Sequence, residues 1–218
     1  MSFAANKQNG GKKSPLAGWL GRKQNGDGDR ELPEMDVAAG VNRALRGAKA
    51  AAPETPAAQD RISPARNALS AIEAALYAID RVRDILEQAC EVVVSARDVE
   101  DDGGRAMLAE SYDELRLSID EALEKIDPGA AVLIGKTQRH LDVTLGGKAR
   151  YSVSPVRLDV SDKGLNLTPP LNAFANDDEI ETILDQLDKA LNRADRAAAS
   201  YCRDAQYLIA RMSGALDS

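Results

Sequence analysis

Residues Gly129 to Thr137 read GAAVLIGKT, and a glycine-bearing run ending in Gly-Lys-Thr is the composition of a phosphate-cradling loop. The spacing excludes that chemistry. Five residues, not four, separate Gly129 from Gly135. The run follows a helix rather than a strand, and no helix is expected after it to receive a phosphate at its N-terminus. The acidic run Asp98 to Gly104 (DVEDDGG) invites calcium, yet its acids lack the calcium-loop spacing and no glutamate closes it in register. It reads as a solvated turn. Asp80 with Asp84, and Glu121 with Lys125, stand at helical spacing and read as exposed charges and helix ion pairs. Cys90 and Cys202 are far apart and lack metal-ligand spacing, so they read as half-buried thiols. The one histidine, His140, assembles neither a triad nor a metal site. No nucleophile, base and oxyanion donor come together. The expectation is therefore no enzyme, no catalytic residue, no cofactor and no metal.

The elements that carry these residues are mostly helices. Ile180, Leu184, Leu187, Leu191, Ala194, Ala198, Tyr201, Ala205, Leu208 and Met212 recur at spacings of three and four. They lay one apolar stripe on a helix about nine turns long, with Asn176 as N-cap and Glu179 completing a capping box. An earlier helix is expected to start at Ser63 (N-cap) and Pro64 (first turn) and to run to about Ala96. Its stripe is Leu69, Ile72, Leu76, Ile79, Leu86, Cys90 and Val93, with Arg83 interrupting it. A second helix from about Arg105 to Ile126 carries Leu108, Tyr112, Leu115, Ile119, Ala122 and Ile126, and Asp127-Pro128-Gly129 stops it. The short turn between them predicts an antiparallel pair.

From Ala131 to Leu167 the period changes to two. Leu141, Val143 and Leu145 alternate with polar residues, Gly146-Gly147 predicts a turn, and Tyr151 and Val153 return. Val156, Leu158 and Val160 alternate again before Asp162-Lys163-Gly164, and Pro169-Pro170 breaks the chain. The fold class predicted is mainly α: an elongated, antiparallel, three-helix coiled-coil-like rod with a small β-hairpin region at 131–167. Residues 1–60 read as a disordered arm, basic at its start and rich in Ala and Pro, with a weak helix over 34–51; residues 61–218 form the helical part. Lys7, Lys12, Lys13, Arg22 and Lys23 surround a small apolar knot of Leu16, Trp19 and Leu20. That knot is read as part of a solvated tail in preference to a membrane-surface peptide.

Composition narrows the partners. In 218 residues, aromatics are 4% and charged residues 29%, which suits extended helix packing rather than a large core around a ligand. A net charge of −7 argues against general nucleic-acid binding. No stretch approaches the roughly 20 apolar residues of a membrane span, and no secretory signal is present.

In this setting Ala78 to Ala89, AIDRVRDILEQA, resembles the flagellin signature of the first long outer-core helix, roughly N-L-Q-R-V-R-E-L-A-V-Q-A. Arg81, Val82, Arg83, Gln88 and Ala89 match; Asp84 stands for Glu and Ile85 for Leu. DPGAAVLIG (Asp127 to Gly135) is similar to the family's F-N-G-x-x-L-L-x-G, with Asp127 and Pro128 replacing Phe and Asn. LDVSDKGLNL (Leu158 to Leu167) resembles the strand that closes the flagellin hairpin region, and the last helix matches the long returning helix in position and length. The shared order covers roughly residues 65–213.

The resemblance implies a flagellin-core-like rod, with Arg81, Arg83, Ile85 and Gln88 contacting partners. It implies a structural or accessory protein of the bacterial flagellum, placed there or secreted by flagellar export. Its partners would be flagellin-like or flagellar export proteins, and alone it would be a monomer or weak oligomer. The chain departs from the family in lacking its terminal polymerising helices and its outer domains, and in carrying two cysteines. A cytoplasmic helical adaptor or regulator reusing the fold is the alternative. An antiparallel rod also keeps Cys90 and Cys202 on the order of 25 Å apart along its axis, beyond disulfide reach.

Overall fold

The computed structural model describes residues 56–145 and 149–216, with side chains described from Ser63 to Ser213. The expectations for residues 1–55 and for the Gly146-Gly147 turn lie outside the described residues.

Helix α1 spans Pro56–Arg97. It begins earlier than Ser63, so residues 56–60 belong to it and not to the arm, and Pro64 lies inside it. A proline there, two turns into the helix, gives up one helical hydrogen bond, to the carbonyl of residue 60. α1 is apolar over more than one face. Leu69, Ile72, Ile79, Val82, Leu86 and Val93 are all buried, as are Ala65, Ala68, Ala75, Ala78, Ala89 and Ala96. The alanines widen the stripe, so partners can pack on two sides of one helix.

Helix α2 covers Asp102–Glu124, starting before Arg105 because Asp101 caps it, its Oδ2 accepting from Gly104 N at 2.8 Å. The solvated turn thus shrinks to a few residues, and its last acid is structural. Asp127 then caps a short helix α3, Pro128–Ile134, accepting from Gly129 N at 2.7 Å. Asp-Pro ends α2 but also opens a new helix, because aspartate is a good N-cap and proline a good first residue. Residues 131–134 are therefore helical, against the expectation of β-structure from Ala131.

The hairpin is as expected: β1 (Leu141–Thr144) pairs antiparallel with β2 (Arg150–Val153), Leu141 opposite Val153 and Val143 opposite Tyr151. The alternating segment after Pro155 forms no strand. Val156 and Leu158 instead donate to the Leu133 and Ile134 carbonyls at the end of α3, at 2.8 and 3.0 Å. That satisfies helix-end acceptors that would otherwise lack partners.

Helix α4 covers Asp177–Leu216. Asn176 caps it, accepting from Glu179 N at 2.8 Å. The Glu179 carboxylate reaches further back than a capping box requires, accepting from Asn172 N (2.9 Å) and Phe174 N (3.0 Å). It clamps a bend in which Ala173 and Phe174 take φ of 50° and 59°, conformations that L-residues adopt at a cost. Phe174 is fully buried beneath it.

α1 packs against both α2 and α4, whereas α2 and α4 barely touch each other. The segment from Val156 to Phe174 bridges them. Val160 N donates to Asp120 of α2 (3.1 Å), and Tyr112 of α2 donates to the Thr168 carbonyl (3.0 Å). From the other side, Gln186 of α4 accepts from Thr168 N (3.0 Å), and Arg193 donates to the carbonyls of Arg157 and Lys163 (3.1 Å each). The fold is mainly helical with one small antiparallel sheet, and its third wall is irregular chain.

Candidate functional site

The four residues singled out on α1 go to different places. Ile85 is 3% exposed and serves the core, so the folded chain offers it to no partner; its neighbours Val82, Leu86 and Ala89 are buried beside it. Arg81 and Gln88 are exposed. Arg83 is half-buried and turned inward onto α4, with Nε 2.9 Å from Asp195 Oδ1 and a longer contact to Asp80 at 3.8 Å. Its stem lies on the helix pair while its guanidinium meets an acid of the neighbouring helix. The expected stripe does not separate these fates: Arg83 lies on it yet stays half-buried, and Ile85 lies off it yet is buried, because α1 is apolar over more than one face.

Arg81 borders an open groove of about 620 Å³ between α1 and the end of α2. Ala74, Ala78, Ala122 and Ile126 form its floor, and Tyr77 stands at its edge, 80% exposed. Tyr77 escaped the sequence reading because it lies off the heptad stripe. The signal available was a large aromatic on a helix face otherwise held by charge and alanine.

A second concave region, of about 210 Å³, lies where α2 meets α3, lined in part by Asp120, Glu124, Lys136 and Asp159. Lys136 Nζ is 2.9 Å from Asp120 and 3.7 Å from Glu124, and the Asp120 hydrogen bond and charge hold its ammonium above the usual lysine value. Asp159 is 1% exposed. No strand forms at 156–160, and Asp159 is buried together with Leu158. Burial alone would push its carboxyl up. Hydrogen bonds from Arg157 (Nε and Nη2, 2.7 Å each) and Ser161 (3.1 Å), with the charges of Arg157 and Lys136, outweigh that and hold it low. Every cation here already has its anion. The cluster is a structural knot fastening the 157–167 loop, and it leaves no free base or nucleophile.

The remaining reactive groups are equally quiet. Burial, then the charges of Asp188, Glu87 and Glu91, push the Cys90 thiol up to about 12. Burial and Asp80 raise Cys202 as well. Both thiols are therefore protonated at neutral pH and weak nucleophiles. Both are free. Cys90 lies near Asp188, and Cys202 near Asp80, which places the two thiols at well-separated levels of the antiparallel α1–α4 pair, as expected. Among the described residues no group of acids, cysteines and histidine is arranged to hold a metal, and no helix is long and apolar enough to cross a membrane.

Compared with protein-family models and with curated proteins, the chain matches none.

Proposed function

We propose that this chain is a flagellin-like structural or accessory protein of the bacterial flagellum, acting by packing an elongated, coiled-coil-like set of antiparallel helices against flagellin-like partners. The supporting observation is the order and pairing of the elements. A long helix, a shorter antiparallel helix, a short helix carrying the Gly-x-x-x-Leu-x-Gly run, a hairpin and a long returning helix follow one another. The RVRDILEQA run lies on the first of these helices, and the last returns antiparallel to the first. Solvated charge on the outer faces and quiet thiols suit a protein that binds by surface rather than by reaction. The test is location: a tagged copy followed in cells with and without the flagellar export gate. Gate-dependent appearance in the supernatant or in sheared filaments is the expected result. Retention in the cytosol in both strains would replace this reading with that of a cytoplasmic adaptor.

A further inference from the structure

We propose that the face of α1 centred on Tyr77 joins two copies of this chain in an antiparallel, two-fold symmetric dimer. The inference goes beyond the flagellar reading and does not depend on it.

Tyr77 is 80% exposed beside a groove whose floor is Ala74, Ala78, Ala122 and Ile126. An aromatic ring in water next to apolar concave surface is an unfilled contact. The charges flanking it indicate what fills it. Glu73 lies four residues before Tyr77 and Arg81 four residues after, so all three follow one another along one face of the helix. Among the described residues neither Glu73 nor Arg81 has an ionic or hydrogen-bonding side-chain partner. Eight residues of helix rise about 12 Å, too far for the two to pair with each other.

The pattern acid–aromatic–base is its own complement when reversed. A two-fold axis through Tyr77 sets Glu73 against the partner's Arg81, and Arg81 against the partner's Glu73, while each tyrosine ring reaches the other copy's groove. That is the condition of an isologous interface, where residue i meets j and j meets i. A parallel pairing would set like charges opposite each other and is disfavoured. The alanines of the groove leave room for the partner's ring.

Sedimentation velocity on the full chain over a concentration series tests this. The parent chain should show a reversible monomer–dimer equilibrium. Arg81→Glu or Glu73→Arg should each weaken it by about tenfold or more, because symmetry makes every reversal spoil two contacts. The double reversal, Glu73→Arg with Arg81→Glu, should restore the parent affinity to within about threefold. Tyr77 and Arg81 are exposed and Glu73 is half-buried at the groove, and unchanged helical circular dichroism confirms that the variants fold. As a second measurement, Tyr77→Cys in a Cys202→Ser background should cross-link to itself under mild oxidation, since only a residue near the axis faces its own copy. A chain monomeric up to about 1 mM, a dimer indifferent to either single reversal, or a double reversal no tighter than the singles would overturn the proposal.

Discussion

Arg83 of α1 and Asp195 of α4 meet at 2.9 Å, yet the Arg83 Nε–H makes no hydrogen bond, although Nε is buried. The two charges attract without the alignment that makes an arginine–carboxylate pair strong. Arg97 and Glu181 repeat the contact, also at 2.9 Å but with a hydrogen bond, the same number of residues further along each helix in opposite directions. The two pairs thus mark one antiparallel register between the longest helices.

The inner pair is expected to contribute little to stability. Its side chains are 38% and 56% exposed, where solvent screening holds such pairs to roughly 0–1 kcal/mol, and the unbonded Nε–H is a cost that offsets it. Arg83→Met keeps the packed stem and removes that buried donor. Its denaturation midpoint should equal or exceed the parent's, and a loss above about 2 kcal/mol in urea titration would contradict the account.

Asp159 and Gly164 should behave as one unit. A Cβ at position 164 would overlap the Asp159 carbonyl oxygen and Oδ1, so backbone must shift. Gly164→Ala is expected to cost about 2 kcal/mol or more. The native Asp159 carboxyl is held below its ordinary value, so its stabilisation is full above the unfolded value near 3.9 and is lost as pH falls through the depressed native value. Asp159→Asn should therefore destabilise at pH 7 and much less in strong acid. Equal effects at both pH values would show that the charge is irrelevant.

Tyr201 links three parts of the chain. Its hydroxyl donates to the Leu133 carbonyl (3.0 Å) and accepts from Val156 N (3.1 Å). Burial pushes its phenol up to about 12. A raised native value means the contribution is intact below the unfolded value near 10 and disappears as pH rises through the native one. Thermal stability should fall above pH 10, and Tyr201→Phe should flatten that fall. It should also cost about 1 kcal/mol at neutral pH, from the lost hydroxyl bond to the Leu133 carbonyl, since Val156 N keeps its own bond to that carbonyl. Alkaline melting curves of parent and variant that lose stability in parallel would exclude Tyr201 as the cause.

The start of α4 offers a separable pair of effects. Asn176→Ala removes the cap and should cost about 1 kcal/mol. Glu179→Ala frees the Asn172 and Phe174 amides and releases the two left-handed residues between Pro170 and the helix. It should cost more than Asn176→Ala and should speed hydrogen exchange at residues 172–175 while the middle of α4 stays protected. Uniform exchange along α4 in both variants would show that the bend and the helix open together.

The helices and hairpin were legible because their apolar periods are long and their turns carry glycine and proline. Ile180, Leu187, Ala194, Tyr201, Ala205, Leu208 and Met212 on α4, and Val143 with Val153 in the hairpin, fall where the pattern puts them, while Leu184, Leu191 and Ala198 are half-buried and Ile183, Ala190 and Ala197 are buried outside the expected stripe. Three features were not legible. Asp127-Pro128 looks the same as a stop and as a start, and only the packing of Ala130, Leu133 and Ile134 decides for α3. Val156 to Val160 alternates like a strand, but its amides find helix-end carbonyls before they find another strand. The exposed Tyr77 belongs to no period, since a binding surface is defined by what lies across it and not by the chain's own core.

α1 is covered by α2 on one side and by α4 on the other, and these coverings are made at very different times. α2 follows at once; α4 begins some eighty residues after α1 ends. During synthesis the ribosome therefore releases a helical hairpin whose second apolar flank stays bare until the forty residues of α4 emerge. Such a half-made molecule is sticky by construction, and a chaperone that recognises the α4-facing apolar flank of α1 would find it bare there and covered once α4 has packed.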